Sequence, residues 1–150
     1  MQAKGLFFEE FKTDTVYRTD RRTLTEADHI NFTTSFGFHE PLFMDQTYVE
    51  HETPYEKGIV PGALTFSIAE GLTILSGILH KTGMAFLGVE LEVLKPVFIG
   101  DSVTVEIMVV AKRESKRSDR GVITFNHQVR NQDWEMVMEY RVKRMIRRRG

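Results

Sequence analysis

Eighteen residues, GALTFSIAEGLTILSGIL from 62 to 79, constrain this 150-residue chain more than any other stretch. The run is apolar almost throughout, so a helix built from it has no face suited to water. Only a bilayer or a protein core can surround such a helix. Eighteen residues lie near the lower limit for a membrane span. Glu70 stands at the middle, where an ionised group is costly in lipid. The rest of the chain reads as amphipathic strands rather than further spans. We therefore expect one helix from about Gly62 to His80, enclosed by protein, with Gly83 just past its end.

The second half supplies the enclosure. FLGVELEV (86–93), SVTVEIMVV (102–110), GVITFNHQV (121–129) and EMVMEYRVKRMI (135–146) are rich in β-branched and aromatic residues. In the last, Met136, Met138, Tyr140, Val142 and Ile146 share one face, while Glu139, Arg141, Lys143 and Arg147 share the other. Short connections between consecutive strands imply antiparallel pairing. The expected class is α+β, with the sheet wrapped around one long buried helix. No repeat or linker divides residues 1–150, so a single domain is expected.

The first third is less regular. Residues 16–23 suit a strand, after an opening segment. Thr25 and Asp28 have capping-box spacing ahead of a short helix carrying Ile30 and Phe32. From Phe38 to Pro61 the chain carries Pro41, Pro54, Gly58 and Pro61, and long irregular stretches in compact domains are usually functional. The net charge of −1 gives no global reason to expect nucleic acid or an anionic membrane as partner. The absence of cysteine excludes a disulfide, a thiol nucleophile and a thiolate metal site. The five histidines lack ligand spacing, so no metal is expected. The start, MQAKGLFFEEFKTD, has acids where an export signal needs an apolar core, so a cytoplasmic location is expected.

Three motifs, TEADHINFTTSFGFHEPLFMD, KGIVPGALTFSIAEGL and LKPVFIGDSVTVE, resemble MaoC-type acyl-thioester hydratases and dehydratases. The resemblance covers about residues 15–147 and implies the hot-dog fold, an acyl-CoA or other acyl thioester as substrate, and a homodimer or higher homo-oligomer. It implies active sites near the dimer interface and no cofactor beyond coenzyme A carried in the substrate. The family's hydration motif is Gly-Asp-x-Asn-Pro-x-His, whose Asp and His form the acid–base pair. Laid on this chain without a gap, its glycine meets Gly37 and its proline Pro41. Its asparagine meets Glu40, while the acid and the base meet Phe38 and Phe43. A phenyl ring exchanges no proton, and each such group is worth about 10²–10⁴-fold in rate. The usual dyad is therefore missing.

Glu40, flanked by the two rings, is the first candidate to replace it, because desolvation would raise its pKa towards neutrality. His39 beside it is a second, set against a plain surface histidine. Glu70 is a third. A second resemblance, to hot-dog thioesterases, sets Ile68, Ala69 and Glu70 on their Leu-Ala-acid frame. Against this stands a structural carboxyl bonded to backbone, to His80 or to a partner chain. Ser67, Glu70 and Thr73 are expected to form one polar stripe on the helix. Gly62 and Ala63 open the helix, where the N–H groups and the dipole favour developing negative charge. Phe38, Phe43 and Ser67 are candidate substrate contacts. Lys95 is a candidate partner for coenzyme A phosphates. Tyr48, Phe66 and Phe86 are read as core or acyl-tunnel lining, and Arg147, Arg148 and Arg149 as a solvated end. Three functions stay open: an altered hydratase or dehydratase, a thioesterase using Glu70, and an acyl-thioester binding module without catalysis.

Overall fold

A computed structural model describes residues 5–150; the first four residues of the opening segment lie outside the described residues. After a 3-10 turn at Phe8–Glu10 come two short strands, β1 (Val16–Arg18) and β2 (Arg22–Thr23). Three helices follow: α1 (Glu26–Phe36), α2 (Pro41–Met44) and α3 (Gln46–Glu52). The long helix α4 is Gly62–Leu75. The long strands are β3 (Gly83–Val93), β4 (Ser102–Glu114), β5 (Arg120–Arg130) and β6 (Met136–Arg147). All pairings are antiparallel, in the order β1-β4-β5-β6-β3, with β2 also on β4. This is the expected α+β hot-dog architecture.

Alternation builds the core. Along β6, Met138, Tyr140, Val142 and Ile146 are buried, while Arg141, Lys143 and Arg147 are exposed. β4 adds Val103, Val105, Ile107 and Val109, and β5 adds Ile123, Phe125 and Val129. Leu64, Ile68, Ala69 and Leu72 of α4 close over them. Each large aliphatic side chain buried there is worth about 1.5–3 kcal/mol.

Four expectations are corrected. The helix stops at Leu75 rather than His80, because Gly77 turns to φ 86 and the chain enters a series of turns. Nor does its own chain enclose it on all sides: Gly62, Ala63, Ser67, Gly71, Ile74 and Leu75 are exposed. The strand expected over 16–23 is two short strands. The stretch 38–61 holds α2 and α3, their starts set by Pro41 at the first turn of α2 and by the Asp45 side chain accepting from Tyr48 N–H.

The C-terminal arginines are not free either. Arg148 reaches Glu9 (3.1 Å) and Glu114 (3.3 Å), and Arg149 pairs with Glu10. With Lys112 they cover the rings of Phe7 and Phe8, so the chain's two ends are laced together across the edge of the core.

The two edges of the sheet differ. β1 and β2 close one side. On the other, among the described residues β3 pairs only with β6, and Met84, Phe86, Leu87, Val89, Leu91 and Val93 are all exposed.

Phe8 lies so close to β5 that a Cβ on Gly121 would sit 2.4 Å from its ring. Gly121→Ala should therefore displace the ring and destabilise the fold by about 1–3 kcal/mol in urea unfolding. An unchanged midpoint would show that this seat contributes nothing.

Candidate active site

The motif loop is set by the end of α1. Gly37 takes φ 76, and the N–H groups of both Gly37 and Phe38 return to the Thr33 carbonyl. This left-handed cap turns the chain back on the helix. Phe38 then packs on Phe32, with ring centroids 5.2 Å apart. Glu40 is extended and starts α2, whose first turn carries Phe43. His29, buried on α1, lies with its Nε2 2.7 Å from the Phe43 carbonyl oxygen. A carbonyl only accepts, so the proton sits on Nε2, and the buried Nδ1 is left without a partner. Phe32, Phe36, Phe38 and Phe43 form a continuous row, neighbouring centroids 5.1–6.3 Å apart. Phe36, Phe38, His39, Glu40 and Phe43 line one shallow hollow.

Within this chain Glu40 is exposed, so the desolvation expected to tune it is not provided. His39 is exposed as well. Neither side chain makes a hydrogen bond or ion pair with the described residues.

The start of α4 offers different chemistry. The N–H groups of Leu64 and Thr65 both return to the Pro61 carbonyl, and no side chain caps the helix. Among the described residues the N–H groups of Gly62 and Ala63 then have no partner, and both residues are exposed. A Cβ on Gly62 would lie 3.3 Å from Val93, so the helix start sits against the end of β3. Ser67 is exposed and donates to the Ala63 carbonyl. Lys95 is engaged by Glu135 rather than held free for a phosphate.

Glu70 does not look along the exposed face of α4. Its Oε2 accepts from Tyr140 Oη and from Arg144 Nη2, each at 2.7 Å. Arg144 is 7% exposed. The sequence reading put Tyr140 on the core face but passed over Arg144, which lies four residues further on that same face. Of the structural roles set against catalysis, a bond to backbone or to His80 is not what forms within the chain; Glu70 is cross-linked to β6 instead. The stripe of Ser67, Glu70 and Thr73 divides: Ser67 is exposed, Glu70 meets the sheet, and Thr73 is buried and bonds the Ala69 carbonyl. His127 stacks on Tyr140 at 4.4 Å, fully buried, with Nδ1 3.9 Å from Glu70 Oε2. Burial, reinforced by the Arg144 charge, holds the His127 pKa well below its ordinary value. It is neutral near pH 7 and forms no ion pair there. Burial and then the Glu70 carboxylate push the Tyr140 hydroxyl far above its usual range.

The family described as MaoC like domain matches residues 9–131. This chain belongs to that family. It is 41% identical over 76 residues to the (R)-specific enoyl-CoA hydratase of Aeromonas caviae, covering 51% of this chain and 54% of that protein. Among solved structures, a MaoC-like dehydratase from Rhodospirillum rubrum superposes with a TM-score of 0.87 at 28% identity, over 97% of this chain and 99% of the other. A Mycobacterium tuberculosis protein described as a double hot-dog fold matches with a TM-score of 0.86 over 96% of this chain and 44% of the other. At 17% identity that likeness is one of fold alone. The chain spans 33%, 54% and 41% of the lengths of three curated relatives.

Within this MaoC-like chain the site candidates fall into three groups. The loop gathers Phe38, His39, Glu40 and Phe43; the α4 start carries Gly62, Ala63 and Ser67; Glu70 is tied to β6. No hydrogen bond or ion pair among the described residues joins one group to another. The sequence reading missed His29 as the anchor of Phe43 and Arg144 as the partner of Glu70. Strict alternation along β6 would have found Arg144. His29 carried no local signal, because its partner is a carbonyl fourteen residues on.

The Glu70–Arg144 pair makes a sharp stability prediction. Glu70→Leu leaves a buried guanidinium uncompensated and should cost about 3–5 kcal/mol, and adding Arg144→Met should recover most of it. Additive losses in urea unfolding would show that the two side chains act independently.

Proposed function

We propose that this chain works as an acyl-thioester hydratase or dehydratase, with coenzyme A carried by the substrate and no other cofactor. The observation that carries this is the uncapped start of α4, whose two free N–H groups suit the carbonyl oxygen of a thioester. The family and the hydratase among its relatives support the same reading. When water adds to an enoyl thioester, its oxygen bonds to the β-carbon and charge develops on the carbonyl oxygen. The N–H groups of Gly62 and Ala63 take that charge. Glu40 takes a proton from the water and returns one to the α-carbon, with His39 beside it. Phe38 and Phe43 wall the substrate. Glu70 already serves Tyr140 and Arg144, which favours this reading over hydrolysis by Glu70.

We also infer a homodimer, formed through the open side of β3 and the exposed face of α4. An unpaired apolar edge invites a partner strand. A soluble, cytoplasmic setting suits such a reaction; no helix among the described residues is long and apolar enough to cross a membrane.

A panel of enoyl-CoA and saturated acyl-CoA esters tests the activity. We expect loss of enoyl absorbance without release of thiol, and Glu40→Gln should lower turnover at least about a hundredfold. Thiol release would support the thioesterase, and binding without turnover would support the non-catalytic module. Sedimentation should give about twice the 17.4 kDa chain mass; a 17.4 kDa species at micromolar concentration would refute the dimer.

A further inference from the structure

The motif loop has exchanged its proton carriers for aromatic surface, and that surface has chemistry of its own. Phe36 is 68% exposed, while Phe38 and Phe43 are half-buried. All three line the hollow that also holds Glu40. The rings are not stacked flat. Phe36 is inclined by 60° to Phe32, Phe38 by 56° to Phe32, and Phe43 by 53° to Phe38. The hollow is therefore bordered by aromatic surface from three rings set around one carboxylate. A phenyl face is the negative pole of its quadrupole and attracts a cation within about 6 Å. Glu40 adds a full negative charge at the rim, and no described cation pairs with it.

Contiguous exposed aromatic surface is a mark of a recognition site. Water suits it poorly, and a carboxylate would be repelled by both the ring faces and Glu40. A purely aliphatic group would leave Glu40 unused. A substituted ammonium satisfies both features at once. Its alkyl groups cover apolar area, and its diffuse charge meets the ring faces and the carboxylate.

We propose that the hollow formed by Phe36, Phe38, Phe43 and Glu40 is a recognition site for a substituted ammonium group. This rests on the acyl-thioester reading for how the cation arrives, as an ammonium on the acyl carbon next to the β-carbon, where Glu40 faces both it and the attacking water. On that reading the preferred substrates are acyl thioesters bearing an ammonium. The Phe residues at the dyad positions then set specificity, and the loss of the usual acid and base is the structural cost of that preference.

Two probe sets separate the site from its carrier. In the first, tetramethylammonium and the neutral tert-butanol are titrated onto the folded protein, following the amide resonances of residues 36–43 by NMR. Tetramethylammonium should give saturable shifts there and tert-butanol none. Phe38→Leu and Glu40→Gln should each weaken its binding at least fivefold without disturbing resonances elsewhere. Equal shifts from both probes, or none from the cation, would overturn the proposal. In the second, 4-(trimethylammonio)butanoyl-CoA is compared by calorimetry with its neutral isostere, 5,5-dimethylhexanoyl-CoA. The cationic ester should bind at least tenfold tighter, and Phe38→Leu should narrow that ratio. Equal affinity would overturn the assignment of the cation to the acyl group. If tetramethylammonium binds but neither ester does, the ammonium site stands and the acyl-thioester reading falls.

Discussion

Burial of α4 against the sheet is the constraint on which the rest of the chain depends. Leu64, Ile68, Ala69 and Leu72 meet the inner faces of β4, β5 and β6, and that contact is apolar and without direction. On its own it would allow the helix to slide or roll, because oily surfaces are tolerant of register. Glu70 removes that freedom. Its carboxylate meets both Tyr140 and Arg144 on β6, and His127 stacks on Tyr140. A buried ion pair adds little net stability over a well-packed apolar pair. Here it supplies an address, and thereby sets where the two free N–H groups of Gly62 and Ala63 are presented.

The same device bears on Glu70 itself. A carboxylate already accepting from a tyrosine hydroxyl and a guanidinium on one oxygen is committed to the fold. In the function we propose, the chemistry falls to the helix start and to the motif loop. That loop is held by its own means. Gly37 reverses the chain, Phe38 packs back on Phe32, and His29 grips the Phe43 carbonyl. The turn at Gly37 and the proline at position 41 hold the loop's course independently of the side chains at positions 38 and 43.

Within one chain no hydrogen bond or ion pair among the described residues joins the loop to the α4 start, which sits against the end of β3. The loop, the α4 start and the open β3 edge each leave groups unsatisfied: phenyl faces, two N–H groups and an unpaired strand. The sequence-level picture of an all-round enclosed helix errs at the same place, since Ile74 and Leu75 are exposed beside that edge. In the homodimer we infer, a second copy covers the edge and the exposed side of α4 together.

Much was legible in the sequence because it is written in short-range patterns. Apolar runs mark α4, period-two alternation marks β3 to β6, and Thr25 and Asp28 announce the capping box that starts α1. The motif frame at Gly37 and Pro41 was equally local. Tertiary structure alone decided the partners. Glu70 finds Arg144 seventy-four residues away, Lys95 finds Glu135, and the terminal arginines find Glu9 and Glu10. It also decided exposure, leaving Glu40 in water where flanking phenyl rings suggested shelter. The physical reason is that propensity and periodicity act over a few residues. Charge pairing and desolvation depend on which distant surfaces the folded sheet brings together.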